Sequence, residues 1–317
     1  MSRALDRSAE AERWLGDSPV MSRVLEQIRH LAPTRSTALI VGEPGTERSL
    51  VARAIHERST RHGGPFLEVS AGALPESVLI PEMLGVESAA GSGGNPGLFE
   101  LADSGTLFLD RIDEIPASIQ AHLLQVLTDR EVVRHGSTKR RRVDLRVLAG
   151  AEHELSAEAS ATRIRADLFQ RLSVVVIRLP SLHERAQDIP RLADLLLRDL
   201  GRERHRRLTL TRGVLERLMR HPWPGNVREL RATLETMIVV AHGKRTLDLS
   251  DLPPDWGSSD PPAREIRLKV GMTLEETERR LIEATLKETG FDKPRAAALL
   301  GIGLRTLYRK IERYGIS

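Results

Sequence analysis

Between Thr37 and Ile55 a short apolar run, a glycine-bearing loop and a helical pattern follow one another without interruption. Thr37-Ala38-Leu39-Ile40-Val41 reads as a buried strand, and Leu50-Val51-Ala52-Arg53-Ala54-Ile55 reads as the helix after it. A strand that feeds a helix through a tight loop commits the chain to a parallel α/β core, because parallel strands need a crossover helix. The loop between them, Gly42-Glu43-Pro44-Gly45-Thr46-Glu47-Arg48-Ser49, has the length of the phosphate-binding pattern G-x-x-x-x-G-K-[ST]. Gly42, Gly45, Thr46, Arg48 and Ser49 are its candidate nucleotide-binding residues. Two positions depart from the pattern. Glu47 replaces the second glycine, which lets backbone N–H groups approach the phosphates closely. Arg48 replaces the lysine, and a wide planar fork is a poor substitute for a compact ammonium.

A second strand, Gly105-Thr106-Leu107-Phe108-Leu109-Asp110, ends in a carboxylate, the position that helps hold Mg²⁺ in P-loop enzymes. Arg111 follows it, and a guanidinium cannot act as a general base. The residues therefore describe a site built for ATP or ADP with magnesium, with Asp110 as its one candidate metal ligand. No catalytic residue is assigned, and no cofactor is required. Composition narrows the class further. The 317 residues contain no cysteine, which removes disulfides, thiolate metal sites and a cysteine nucleophile and fits a reducing cytoplasm. No apolar run reaches membrane-spanning length, and the first residues carry no signal-peptide core. The net charge is +4, from 48 basic and 44 acidic residues, which permits nucleic-acid binding without requiring it.

The order of further motifs resembles the central AAA+ domain of bacterial enhancer-binding proteins, the activators of sigma-54 RNA polymerase. The resemblance begins at Trp14-Leu15-Gly16-Asp17-Ser18-Pro19 and runs through Leu98–Asp110, Val143–Val147, Arg165–Leu172 and Leu182–Arg185 to Trp223-Pro224-Gly225-Asn226-Val227-Arg228-Glu229-Leu230. It implies that Arg165 and Arg171 match arginine fingers and that Arg228 matches the sensor arginine of the lid. A structural salt bridge is the plainer alternative for each. Other positions depart from the family. Ser70 replaces an asparagine coupled to the catalytic glutamate, and Ala151-Glu152 replaces a threonine-asparagine sensor. In Met83–Gly97 the sigma-contact motif G-A-F-T-G-A is missing, and a Gly/Ser-rich stretch expected to be featureless stands in its place. The vacant pocket is expected to be neutralised by Arg48, paired with Glu47 or with Asp110.

At the far end, Leu252–Pro262 reads as a linker. Thr273 and Glu276 form a candidate capping box for a helix with Leu274, Thr277, Leu281, Ile282, Ala284 and Thr285 along one stripe. Lys293–Leu300, the Gly301-Ile302-Gly303 turn and Leu304–Tyr314 make a helix-turn-helix. Leu304, Leu307 and Ile311 are expected inside, and Arg305, Thr306, Tyr308, Arg309 and Lys310 are the candidate DNA-contacting residues. This part resembles the Fis-type domain that ends the same family, which implies a dimer on double-stranded DNA. A second basic run, Arg134–Arg142, is expected to be a solvated hairpin before a strand at Val143–Ala149.

The expected architecture is a short extension (1–13), an α/β AAA+ core with a parallel sheet (14–180), a helical lid (181–252), a linker (253–270) and an all-α Fis-type unit (271–317). Only about a dozen residues precede the core, too few for a sensory domain. The expected protein is a bacterial, cytoplasmic, nucleoid-associated DNA-binding regulator on a pseudo-ATPase scaffold, independent of sigma-54. A divergent ATP-driven sigma-54 activator, and a module acting on another AAA+ activator or on RNA polymerase, are the alternatives. A homo-dimer or higher oligomer is expected, and no membrane.

Overall fold

Alternating apolar strands and amphipathic helices build the first unit of a computed structural model that describes residues 14–87, 94–153, 164–203, 207–253, 256, 273–288 and 293–314. Helix α1 (Pro19–Leu31) starts with Pro19 in its first turn and with the Ser18 hydroxyl accepting the Met21 amide. Strand β1 (Ala38–Val41) leads into α2 (Arg48–Glu57), and β2 (Phe66–Ser70) into α3 (Glu76–Leu84). Two short strands, β3 (Gly85–Val86) and β4 (Asn95–Pro96), pair antiparallel. Then follow α4 (Leu98–Leu101), β5 (Thr106–Asp110), α5 (Ala117–Asp129), the hairpin β6 (Glu131–Val133) with β7 (Arg140–Arg142), β8 (Arg146–Ala151), α6 (Ala166–Leu172) and β9 (Val176–Arg178).

Five of these strands form one parallel sheet in the order β2-β5-β8-β1-β9. Its strands are apolar on both faces because both are covered. Leu39, Val41, Leu107, Leu109, Val147 and Ala149 enter one core, whereas Ala38, Ile40, Phe108 and Leu148 enter the other against α1 and α2. The lid has a core of its own around Leu192, Leu196, Trp223, Leu230 and Leu234, from α7 (Ile189–Glu203), α8 (Arg212–Arg220) and α9 (Asn226–Val240). A small parallel pair, β10 (Thr209–Leu210) with β11 (Thr246–Leu247), lies beside it. Trp256 packs on this lid, its ring stacked on His221 at 4.7 Å between centroids, so the linker composition read from Leu252 onward conceals one docked aromatic. A second compact unit contains α10 (Leu274–Glu288), α11 (Lys293–Leu299) and α12 (Leu304–Tyr314).

Several expectations need correction. The strand expected at Val143–Ala149 runs instead over Arg146–Ala151. Arg146 is buried, and its guanidinium donates to the carbonyls of Leu31 (3.0 Å), Ala32 (2.9 Å) and Ser36 (3.1 Å). That fixes the start of the strand. The basic run at Arg134–Arg142 is not simply a solvated face. Arg134 is buried and bidentate on Glu100 (2.6 and 2.9 Å), and Arg141 reaches Glu87 at 3.2 Å. The region Met83–Gly97 is not featureless at its ends, since β3 and β4 pair and the Glu87 amide donates to the His135 carbonyl at 3.2 Å. Residues 88–93 lie outside the described residues.

His56 on α2 is buried beside Thr106 of β5, with Nδ1 2.9 Å from the threonine hydroxyl. Burial lowers its pKa to about 4. In the unfolded chain the imidazole takes up a proton near its ordinary pH of 6.5, but in the folded protein it does not. Stability is therefore fully present above that value and falls as the pH drops towards 4, at up to about 1.4 kcal/mol per pH unit for one such group. The expected result of denaturant titrations between pH 7 and 4 is a decline in stability. The decline is shallower for His56→Gln, with the remainder coming from His122 and His221, which burial also lowers.

Candidate functional site

The loop after β1 is held in shape by its own backbone and by the lid. Gly45 has φ +79, and a Cβ on it would overlap the Gly225 carbonyl at the start of α9. The lid thus closes directly onto this glycine. The Val227 amide donates to the Gly45 carbonyl at 3.0 Å. Asn226 completes the clasp, its Nδ2 donating to Glu43 Oε2 (3.1 Å) and the Pro44 carbonyl (3.0 Å). Its Oδ1 accepts the Leu182 amide at 2.6 Å. Asn226 was not singled out in the sequence. The signal was its place in Pro224-Gly225-Asn226-Val227-Arg228, where a small polar residue follows a glycine at a helix start. Thr46 is buried, with its hydroxyl donating to the Glu43 carbonyl at 2.7 Å.

Glu47 keeps the left-handed backbone of the glycine it replaces, at φ 71. A non-glycine residue held there is strained by about 1–2 kcal/mol. It does not pair with Arg48. Arg48 instead clamps Asp110, with Nε to Oδ1 at 2.7 Å and Nη2 to Oδ2 at 2.9 Å. Its Nη1 donates to the Gly42 carbonyl and, at 3.4 Å, to that of Glu43. Of the two pairings read from the sequence, Arg48 with Asp110 is the one formed. Arg48 is 8% exposed and Asp110 22%.

The pair does not stand alone. Glu152, at the end of β8, lies 3.9 Å from Arg48 and 3.6 Å from Arg111. Arg111 has φ 55 and also pairs with Glu114. Three residues that depart from the sequence pattern of the family, Arg48, Arg111 and Glu152, therefore meet in one ion network around Asp110. Ser49 takes no part in it and donates its hydroxyl to Glu68 at 2.5 Å. The matched arginines are dispersed. Arg228 is exposed above Gly45, Arg165 is half exposed and paired with Asp167 at 2.9 Å, and Arg171 is exposed at the end of α6.

The second unit carries the other candidate site. Its core is Ile282, Leu286, Ala296, Ala297 and Leu307. The Thr273 hydroxyl caps α10 by accepting the Glu276 amide at 3.2 Å. Leu304, expected inside, is 41% exposed, and Leu281 of the α10 stripe is 45% exposed. Arg305 and Arg309 are exposed on α12, and Tyr308 is 49% exposed with Lys293 over its ring at 4.9 Å. Thr306 is half-buried. Lys310 departs from expectation, since it pairs with Glu278 of α10 at 2.7 Å and is 21% exposed. The same carboxylate accepts the Tyr314 hydroxyl at 2.7 Å. These two bonds hold Glu278 below the ordinary carboxylate range.

A P-loop sheet under a helical lid, followed by a separate unit with a helix-turn-helix, defines an AAA+ transcription regulator. Residues 14–178 match the Sigma-54 interaction domain, 183–267 the AAA+ ATPase lid domain, and 273–314 the Bacterial regulatory protein, Fis family. The chain belongs to the sigma-54 activator family, the bacterial enhancer-binding proteins. It is 41% identical over 309 residues to the Nif-specific regulatory protein of Azotobacter vinelandii, covering 95% of this chain and 59% of that one. The chain thus spans less than two thirds of that regulator's length. It is 39% identical to the transcriptional regulatory protein ZraR of Salmonella typhimurium, over 96% of this chain and 70% of ZraR. The crystal structure of NtrX from Brucella abortus superposes with a TM-score of 0.71 at 30% identity, covering 98% of this chain and 72% of that one. Among the described residues no helix is long and apolar enough to cross a membrane.

The ion pair gives a stability prediction. Arg48→Met leaves the partly buried Asp110 without its main partner and is expected to cost about 3 kcal/mol, the lower end for breaking a buried pair. Replacing both, Arg48→Met with Asp110→Leu, is expected to recover most of that loss. Thermal unfolding of the two variants beside the parent checks it.

Proposed function

We propose that this chain is a sequence-specific, DNA-binding transcription regulator whose AAA+ core does not hydrolyse ATP and which acts without driving sigma-54. One observation carries this reading, the bidentate Arg48–Asp110 pair. Both carboxylate oxygens of Asp110 face a guanidinium, so the oxygen ligands that a magnesium ion needs are taken. Arg111 stands where an acid would orient water, and it is itself tied to Glu114 and Glu152. Such residues do not fit a magnesium–triphosphate, and no hydrolytic step is assigned to them. The regulator then works as a DNA-binding dimer or larger oligomer in the bacterial cytoplasm. Its phosphate and base contacts come from α12.

A second reading is favoured by the match of residues 14–178 to the Sigma-54 interaction domain, together with the identity to the Azotobacter regulator. In it the chain is a divergent ATP-driven sigma-54 activator. ATP-dependent transcription from a sigma-54 promoter discriminates the two. Under the first reading, purified protein releases no phosphate from ATP above background; turnover that Asp110→Ala abolishes would overturn it.

Two of the basic residues on α12, Arg309 and Lys310, are expected to separate in a DNA-binding assay. Arg309→Ala is expected to weaken binding to every sequence and to reduce the salt slope by about one. Lys310→Ala removes a structural pair to Glu278, so it is expected to lower the melting temperature more than the salt slope. Fluorescence anisotropy across a salt series, with thermal melts, reads both.

A further inference from the structure

The basic run Arg134–Arg142 takes no part in the ion network around Asp110, and the pleat of the β6–β7 hairpin divides its charges in two. On the inner side, Arg134 is bound to Glu100 at 2.6 Å, and Arg141 lies 3.2 Å from Glu87 and 3.8 Å from Glu100. Val132, opposite Arg141 in the ladder, is buried in the core below. Residues two apart on a strand share a face. Arg140 and Arg142 therefore lie together on the outer side, both exposed. Lys139, just before β7, is exposed as well. Glu131 lies 3.3 Å from Arg140, which is still 69% exposed. Lys139 and Arg142 have no acid at ion-pair distance among the described residues. The tip that joins the strands is pinned. Gly136 takes φ +79, the Ser137 amide donates to the Arg134 carbonyl at 3.0 Å, and the Lys139 amide donates to the Ser137 hydroxyl at 3.2 Å. The His135 amide donates to the Gly85 carbonyl at 2.9 Å, which sews the hairpin to β3.

We infer that the outer face of this hairpin is a second DNA-contacting surface, which sets Lys139, Arg140 and Arg142 on the phosphates of a duplex in addition to the contacts of α12. This rests on the reading of the chain as a DNA-binding regulator. Charge selects the partner, since three exposed cations stand against one acid, Glu131. The make-up of the face narrows it further. Residues 131–142 contain no Phe, Tyr or Trp. The hairpin thus offers no platform on which single-stranded bases stack, and no aromatic anchor of the kind a protein partner buries. It offers guanidinium and ammonium donors, the groups that neutralise phosphates. The spacing fits as well. Side chains two apart on a strand lie about 6.8 Å apart along it. That equals two steps of about 3.4 Å along one strand of the duplex. A two-stranded ribbon is also narrow enough for a major groove about 12 Å wide. The inner ion pairs serve the outer face, because they hold the ribbon in one conformation before DNA arrives and leave little ordering to oppose binding. Contacts to phosphate carry no sequence information. The hairpin adds affinity for any duplex, and the choice of sequence stays with α12.

The test is fluorescence anisotropy of the full chain on a DNA duplex of arbitrary sequence, across a salt series. The hairpin variant carries Lys139→Ala, Arg140→Ala and Arg142→Ala. A control of equal charge carries Arg198→Ala, Arg202→Ala and Arg212→Ala, three exposed arginines of the lid. Losing three phosphate contacts is expected to reduce the salt slope by about three in the hairpin variant, and by about one in Arg142→Ala alone. The control is expected to keep the parent's slope, and so is Arg140→Lys with Arg142→Lys, which preserves the charge. The substituted side chains are exposed, so thermal melts of all variants are expected to match the parent. If the hairpin variant melts early, Arg142→Ala alone decides. A slope that the hairpin substitutions leave unchanged overturns the proposal but leaves the DNA-binding reading standing. An equal drop in the control overturns it too, by showing an effect of net charge and not of contact. Loss of slope in the lysine pair overturns the assignment to phosphate. Tighter binding of an RNA duplex, lost in the hairpin variant, overturns the assignment to DNA. A parent that binds no duplex overturns this proposal and the DNA-binding reading together.

Discussion

The guanidinium of Arg48 on the carboxylate of Asp110 fastens the loop after β1 to the end of β5, two elements separated by β8 in the sheet. Above the sheet, that join lies next to the contacts that dock the lid. A few residues back in the same loop, Gly45 is approached closely by the Gly225 carbonyl. From there Asn226 can reach Glu43 and Pro44, and the lid packs down through Val227. The lid is therefore held by fixed protein groups, each paired at ordinary hydrogen-bond length. A pair this little exposed is only a modest source of net stability, because desolvation offsets most of the attraction. Its stronger effect is to specify one arrangement of loop, strand end and lid.

Much of this was legible in the sequence, for clear reasons. The parallel sheet followed from apolar runs that alternate with helical patterns, since strands covered on both faces are mostly apolar. The pairing of Arg48 was legible because an unpaired arginine and an unpaired strand-end acid could not coexist in one pocket. Other features were not. Glu152 was seen only as a departure from a pattern. That it meets both Arg48 and Arg111 depends on β8 lying between β5 and β1, and no local spacing reports strand order. Lys310 read as a DNA contact from its place on α12, yet Glu278 on α10 claims it. Helical periodicity tells which residues share a face of their own helix, and is silent on charges that another helix brings to that face. Arg134 and Arg141 were misjudged in the same way, because their acids, Glu87 and Glu100, lie far off in sequence.

Two positive-φ residues bracket the site, Glu47 before α2 and Arg111 after β5. Both keep a conformation that suits glycine, and both carry charge. Arg111 pairs with Glu114 and Glu152, whereas Glu47 lies in the field of Arg228, Arg185 and Arg231.

The network has a further meaning for how such a chain can change over generations. Asp110 is clamped by Arg48, Glu152 touches Arg48 and Arg111, and Arg111 also holds Glu114. Replacing any one of the three by an uncharged or oppositely charged residue removes a neighbour's partner, whereas a lysine at position 48 would keep the charge. Arg48 made uncharged orphans Asp110, Arg111 made uncharged strands Glu114, and Glu152 made uncharged removes the acid that Arg48 and Arg111 share. Each single step passes through a less stable protein, although the simultaneous exchange need not. The arrangement acts as a ratchet, easier to enter by gradual compensation than to leave by one mutation at a time.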